Sequence, residues 1–145
     1  MIRRMELYDV DQVYFIENQS FFEPWSKEIL VREMKINKFL EHFVYESDEK
    51  ILGFYIANYI LDEAEIYTIA VREEYRGQKI ASKMLDHLVE RCKKRKITKI
   101  FLEVSTKNDQ AIKFYEKFSF KKVGLRKNYY RKTNEDAYIM RKDII

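Results

Sequence analysis

The stretch Ile66-Tyr67-Thr68-Ile69-Ala70-Val71-Arg72-Glu73-Glu74-Tyr75-Arg76-Gly77-Gln78-Lys79-Ile80-Ala81 passes from an apolar segment through a charged loop into a second apolar segment. Its first part belongs to residues 65–71, which are rich in Ile, Tyr, Thr and Val and so favour a β-strand. From residue 80 to residue 95, apolar side chains recur at helical spacing. The sequence therefore predicts a strand that leads through a short loop into a helix.

The loop between this strand and this helix has the composition of an anion site. A helix leaves its first amides without partners, and these amides and the helix dipole attract anions. Gly77 allows the backbone to turn and to approach a ligand, while Arg76 and Lys79 add positive charge. A single Gly in a charged loop is also typical of a plain turn, so these residues alone leave both interpretations open.

The patterns in the rest of the chain predict an α/β (mixed α+β) fold. Further strands are predicted at residues 2–5, 39–46, 51–61, 99–104, 121–126 and 137–141, and further helices after Asp9, after Ser26 and at 109–118. The order β-α-α-β-β-β-α-β-α-β-β has hairpins first and β-α-β units later. It predicts one domain over residues 1–145, with a mixed, mostly antiparallel sheet of six or seven strands and helices on both faces.

Composition narrows the class of protein. The apolar fraction of 46% in 145 residues argues against disorder and allows a real core. No apolar run approaches the roughly 20 residues that span a bilayer, and the charged residues 1–6 do not resemble a secretion signal. The lone Cys92 fits a reducing compartment. We therefore expect a cytoplasmic protein without a membrane segment, and the modest net charge of +4 does not by itself predict a nucleic-acid function.

The strand–loop–helix stretch resembles the first cofactor motif of the GNAT family of N-acetyltransferases. The loop consensus of that family is Arg/Gln-x-x-Gly-x-Gly/Ala. Arg76 and Ala81 match it, whereas Lys79 stands where the middle Gly is usual. This departure keeps the backbone N–H, so pyrophosphate binding is expected to survive it.

Other segments extend the resemblance. Residues 102–124, with Asn108 and Phe114-Tyr115, are similar to the second segment of the family, although Ser119 replaces a usual Gly. Residues 126–140 and Pro24-Trp25-Ser26 look like the branch that acetylates protein N-termini, especially the ribosomal-protein-alanine type.

The resemblance implies an enzyme that uses acetyl-CoA as co-substrate and needs no metal. The residues that would hold the cofactor are Ile69, Ala70, Val71, Arg76, Gly77, Gln78, Lys79, Ile80, Ala81, Asn108 and Tyr115. The backbone of Ile69 and Val71 would pair with the pantetheine arm as an added strand does. Asn108 would cap its helix and contact the same arm.

Acetyl transfer to an amine needs a neutral amine, a stabilised oxyanion and a proton for the departing thiolate. Glu103 lies in an apolar strand, where an ionised side chain is costly unless it is paired or at an opening, and the alternative is an edge-strand Glu that faces solvent. The resemblance implies that Glu103 is the general base, with Glu23 and Glu65 as rivals. Tyr115 lies on an apolar helix stripe and by itself indicates core packing, but the resemblance implies that it protonates the thiolate.

The chemistry of amines favours a protein N-terminus as acceptor. An α-amine has a pKa of about 7.7–8.0, against about 10.4 for Lys, so it is more often neutral at pH 7. The residues expected at the acceptor are Glu23, Trp25, Glu65, Tyr129 and Tyr130, the last two on the turn before the final strand. A small amine or a Lys side chain as acceptor, and a non-catalytic acetyl-CoA-binding protein, remain alternatives. Ribosome association is compatible with the interpretation as an acetyltransferase, and so are a monomer and a homodimer.

Overall fold

Residues 1–21, 24–130 and 132–144 are described by a computed structural model, and they follow the predicted order of elements. The elements are β1 (Ile2–Arg4), α1 (Val10–Ser20), α2 (Lys27–Ile36), β2 (Leu40–Ser47), β3 (Lys50–Ile60), β4 (Glu63–Val71), α3 (Ile80–Lys94), β5 (Lys99–Ser105), α4 (Asp109–Lys117), β6 (Lys121–Tyr130) and β7 (Glu135–Asp143). Within these ranges, no helix is both long and apolar enough to cross a membrane.

The strands form one sheet with the order β1-β2-β3-β4-β5-β7-β6. Only the β4–β5 pair is parallel, and the other neighbouring strands are antiparallel. Helices cover both faces, because α1 and α2 pack with one cluster of buried residues and α3 and α4 with another. The predicted mixed, mostly antiparallel sheet of six or seven strands is confirmed, and it has seven strands.

An extra residue in β4 reverses which side chains face which helices. Ile56 of β3 pairs with Thr68 and Ala57 pairs with Ile66, so Tyr67 lies between them as a β-bulge. Before the bulge, Ile66 packs in the α3 and α4 cluster. After it, Thr68 bonds to α1 and Ala70 packs in the α1 and α2 cluster. A straight strand would have kept all of them on one face.

The same region ends the pairing between β4 and β5. The parallel register runs from Glu63 opposite Lys99 to Ile66 opposite Leu102, and the rest of β4 lies beyond it. Because the two strands are parallel, the loop before α3 and the helix α4 begin at the same edge of the sheet. The sheet is thus open at that edge, between the carboxyl-terminal halves of β4 and β5.

Two details differ from the sequence predictions. Asp9 does not cap α1. Its carboxylate instead accepts hydrogen bonds from Arg3, at 2.8 and 2.9 Å, and from the backbone amide of Glu6, so both of its oxygens are already engaged. Tyr129 and Tyr130 were expected on a turn but belong to β6, which continues through two register shifts as far as Tyr130.

Ser119, where the family usually has Gly, lies in the left-handed region with φ 70°. The end of α4 is a Schellman motif: the amide of Ser119 bonds to Glu116 O and that of Phe120 bonds to Tyr115 O. The rings of Tyr115 and Phe120 are in T-shaped contact at 5.6 Å, which is the hydrophobic contact that accompanies this motif. The helix therefore ends in the geometry that favours Gly, with a Ser in its place.

We expect Ser119→Gly to stabilise the protein by about 1 kcal/mol, because Gly adopts the left-handed conformation without steric cost. The free energy of unfolding from urea denaturation measures the effect. Lys113→Gly, at an exposed position inside the same helix, is the matched control and should destabilise the protein by about 1 kcal/mol. A loss of stability in Ser119→Gly would contradict the assignment.

Candidate active site

The loop before α3 is braced by Arg76. The guanidinium donates to the backbone oxygen of Val71 at 3.1 Å and to Ser20 Oγ at 3.2 Å. These contacts fasten the loop to the end of β4 and to the end of α1. The sequence suggested that Arg76 adds charge for a phosphate, which stays a prediction, whereas its hydrogen bonds show that it braces the loop.

Lys79 occupies the left-handed conformation that explains the usual Gly at this position. Its φ is 63° and its ψ is 20°, and it directly precedes α3 without capping the helix by its side chain. The first amides of α3 therefore keep the donor capacity that binds anions at helix N-termini. Gly77, with φ 82°, has open space where a side chain would be. Residues 76–79 are exposed, so the loop can be reached by a ligand.

The end of β4 presents backbone groups towards the opening of the sheet. The amide of Arg72 donates to Leu52 O of β3. Neighbouring residues in a strand point their backbone groups to opposite sides, so those of Val71 and Ile69 point away from β3. This part of β4 lies beyond its register with β5. An extended ligand could therefore pair with it.

The residues of α4 lie on the α3 face of the opening. Asn108 caps the helix, as predicted, by accepting a hydrogen bond from the Ala111 amide at 3.1 Å. Tyr115 is 9% exposed and packs against the rings of Phe114 and Phe120. Burial, with a smaller effect of Tyr130, raises the pKa of the Tyr115 phenol and keeps it protonated.

A cleft of about 240 Å³ lies at the β4–β5 junction. Its lining residues are Asn58, Ile60, Glu63, Ala64, Glu65, Phe101, Leu102, Glu103, Arg126 and Ile139. Ile100, Leu102 and Val104 of β5 pack towards α3 and α4, so by strand alternation Glu103 projects to the other face. Glu103 and Tyr115 thus lie on opposite faces of the sheet.

Glu103 is nearly buried and paired. Its side chain is 12% exposed, and its Oε1 lies 3.5 Å from Arg126 Nη2. Because the side chain is this far buried and lies beside Arg126, Glu103 does not face solvent, as the alternative of an edge-strand Glu required. Oε2 has no hydrogen-bond partner among the described residues. The Tyr129 phenol lies beside this carboxylate, whose negative charge adds to burial in raising the pKa of Tyr129.

Glu65 shares this environment. Burial first, and then the charge of Glu103, raises the pKa of Glu65, while Arg126 opposes the shift. The structure therefore brings together Glu65, Glu103 and Tyr129, three of the residues that the sequence suggested for the site. Glu23, the third candidate base, lies outside the described residues.

Trp25 lies against the ring of Tyr67 in β4. The two rings form an edge contact with their centroids 6.0 Å apart. Tyr67 follows Glu65, which lines the cleft, by two residues in β4. Burial, followed by the charge of Glu65, raises the pKa of the Tyr67 phenol. Ser26 caps α2 by accepting from the Ile29 amide, as predicted.

Sequence reasoning missed three residues of this region. Arg126 was part of a quoted motif but was given no role, although its spacing to Tyr129 could have suggested one. Tyr67 is placed by a bulge that hydrophobic periodicity does not reveal. Glu17 carried a usable signal, since it is an acidic residue next to Ile16 on the buried stripe of α1.

The chain is similar to known proteins over nearly its whole length. Residues 10–120 match the acetyltransferase (GNAT) family. The [ribosomal protein bS18]-alanine N-acetyltransferase of Escherichia coli strain K12 is 33% identical over 141 residues, which cover 96% of this chain and 94% of that protein. A Bacillus subtilis protein that provisionally has the same name is 38% identical over 139 residues, covering 96% of this chain and 92% of that protein.

Solved structures agree with this. The crystal structure of the ribosomal-protein-S18-alanine N-acetyltransferase from Escherichia coli has a TM-score of 0.90 at 32% identity, covering 99% of this chain and 93% of the other. Ard1 from Thermoplasma volcanium also has a TM-score of 0.90, at 28% identity, covering 100% of this chain and 97% of the other. The similarity therefore extends to every element around the cleft.

We expect Glu65→Gln to be more stable than the unsubstituted protein at pH 7. A carboxyl group whose pKa is raised on folding stabilises the fold less as pH rises through its titration range. The gain should vanish below about pH 4, where Glu65 is mostly protonated in both folded and unfolded chains. Melting temperatures at pH 4 and pH 7 measure it, with the exposed Glu63→Gln as control. An equal difference at both pH values would contradict the expectation.

Proposed function

Because the chain belongs to the acetyltransferase (GNAT) family and is an N-acetyltransferase, we propose that it transfers the acetyl group of acetyl-CoA to the N-terminal α-amine of a protein or peptide. The observation that carries this proposal is the opening between β4 and β5, with Glu103 on one face and Tyr115 on the other. A donor and an acceptor could meet there from opposite faces of the sheet.

The donor side is made mainly of backbone. The amides of residues 77–82, around the start of α3, would hold the pyrophosphate, and Lys79 would add a positive charge. Ile69 and Val71 would pair with the pantetheine arm, and a backbone N–H there would stabilise the oxyanion. Since the Asn108 side-chain oxygen caps α4, its amide nitrogen would supply any contact with that arm.

The reaction needs no covalent enzyme intermediate. The amine nitrogen attacks the thioester carbonyl carbon, the carbon–sulfur bond breaks, and the acceptor becomes an amide. Tyr115 would give its phenolic proton to the departing thiolate, and its buried environment keeps that proton in place until it is needed. Glu103 would accept the proton of the amine, directly or through water, with Glu65 as a neighbouring alternative.

The cleft chemistry and the relatives favour an α-amine. An acidic cleft attracts a cationic amine, and an α-amine loses its proton far more readily than Lys does. Relatives of this chain are named as enzymes that acetylate the alanine of ribosomal protein bS18. A ribosomal protein or a nascent chain is thus the proposed acceptor, and the cytoplasm is the proposed location.

A peptide panel tests the proposed acceptor. Acetyl-CoA is supplied with peptides that vary in their first three residues, each with a free or a blocked N-terminus and with or without an internal Lys. We expect release of free thiol only with free N-termini, and mass spectrometry should place the acetyl group on the α-amine. Equal reaction of blocked peptides that contain Lys would overturn the α-amine assignment, and binding of acetyl-CoA without any transfer would overturn the enzymatic proposal.

We expect Tyr115→Phe to lower kcat by about 100-fold because the thiolate loses its proton donor. The dissociation constant for acetyl-CoA should stay nearly unchanged, since the ring and its packing remain. Steady-state kinetics and calorimetric titration measure the two quantities. Tyr138→Phe, in β7, is the control and should leave kcat unaltered. An unchanged kcat in Tyr115→Phe would rule out the acid role.

A further inference from the structure

Glu17 is a buried acid at the centre of the helix–sheet contact beside the acceptor cleft. It is 2% exposed and lies on α1 among the apolar residues Val13 and Ile16. Burial raises its pKa above the usual value for Glu. An acid in such a position disfavours folding unless its oxygens are hydrogen-bonded, so its contacts need an explanation.

Both carboxylate oxygens of Glu17 accept hydrogen bonds, and the two donors belong to different elements. Oε2 accepts from the backbone amide of Trp25 at 2.8 Å, and Oε1 accepts from Thr68 Oγ1 at 3.1 Å. Trp25 lies in the segment between α1 and α2, whereas Thr68 directly follows the bulge residue of β4. One side chain therefore ties the segment before α2 to the bulge in β4.

The two residues joined in this way set the position of an aromatic pair. Trp25 contacts Tyr67 edge-on, and Tyr67 immediately precedes Thr68. Fixing the Trp25 amide and the Thr68 hydroxyl on one carboxylate therefore fixes the two rings relative to each other. Tyr67 lies two residues after Glu65, which lines the cleft, so the aromatic pair is next to the cleft along β4.

We propose that Glu17 is a positioning residue that holds Trp25 against the β4 bulge and thereby sets how tightly the first residues of the acceptor bind. The proposal rests on the proposed function, because it assigns the Trp25–Tyr67 pair to the acceptor site. It gives Glu17 no part in proton transfer, since both of its oxygens are engaged by Trp25 and Thr68.

Variants at Glu17 and Thr68 separate this role from charge. Glu17→Gln can keep both contacts, because its amide oxygen accepts from Trp25 and its amide nitrogen donates to the Thr68 hydroxyl. Glu17→Ala removes both contacts. Thr68→Val is close in shape to the original residue and removes only the link to β4. Gln12→Met is the matched control. Gln12 lies earlier in α1, and its side-chain oxygen accepts hydrogen bonds from the Ile51 amide of β3 and from the Arg72 guanidinium.

The full-length chain offers a readout that does not depend on turnover. Trp25 is its only tryptophan, so the emission maximum and acrylamide quenching report on that residue alone. We expect Glu17→Ala and Thr68→Val to shift the emission to longer wavelength and to increase quenching. Glu17→Gln and Gln12→Met should resemble the unsubstituted protein.

Kinetics with a series of acceptor peptides that have a free N-terminus complete the test. In Glu17→Ala we expect the KM for the acceptor peptide to rise about tenfold while the KM for acetyl-CoA changes less than about twofold, and Glu17→Gln should restore the original value. The proposal would be overturned if Trp25 quenching and the peptide KM were unchanged in both Glu17→Ala and Thr68→Val. It would also be overturned if the peptide KM rose equally in Gln12→Met. If the unsubstituted protein acetylates no peptide, the proposed function fails, whereas a fluorescence change in Glu17→Ala would still establish the positioning of Trp25. If Glu17→Ala does not fold, Thr68→Val carries the same test.

Discussion

The extra residue in β4 is the constraint on which the candidate site depends. Tyr67 is inserted between Ile66 and Thr68, which pair with consecutive residues of β3. From this point on, the side chains of β4 that faced one side of the sheet face the other. The parallel pairing with β5 ends at Ile66 and Leu102, immediately before this point. A regular strand would have continued that pairing and closed the sheet. The opening, the free backbone edge of β4 and the exposed position of Tyr67 therefore share one cause.

The two sides of the opening are built by different means. On the donor side, the proposed contacts are backbone amides at the start of α3 and along the end of β4, which depend on chain geometry more than on residue type. On the acceptor side, charged and aromatic side chains are held by one another, as in the ion pair of Glu103 with Arg126 and the bonds from Trp25 and Thr68 to Glu17. Substitutions should thus alter the choice of acceptor more easily than the choice of donor.

Local patterns in the sequence predicted most of the fold and about half of the site. The order of elements, the Ser26 and Asn108 caps and the loop before α3 follow from spacing and residue type, which act over a few residues. The bulge at Tyr67 could not be predicted, because it depends on the register between two strands. Likewise, the pairing of Glu103 with Arg126 joins residues that are distant in sequence, and only the adjacent β5, β7 and β6 bring them together.

The two departures from the family pattern, Lys79 and Ser119, have the same physical meaning. Both residues keep the left-handed backbone, with φ 63° and 70°, that Gly adopts without cost. A side chain there disfavours the conformation by about 1 kcal/mol, and surrounding contacts must impose it. Arg76 does so for the loop, and the amides of Ser119 and Phe120 do so for the end of α4. Unlike Gly, Lys79 adds a positively charged side chain to the loop. This exposed residue directly precedes the amides of α3, which no side chain caps. This favours the interpretation that the loop binds a highly charged anion.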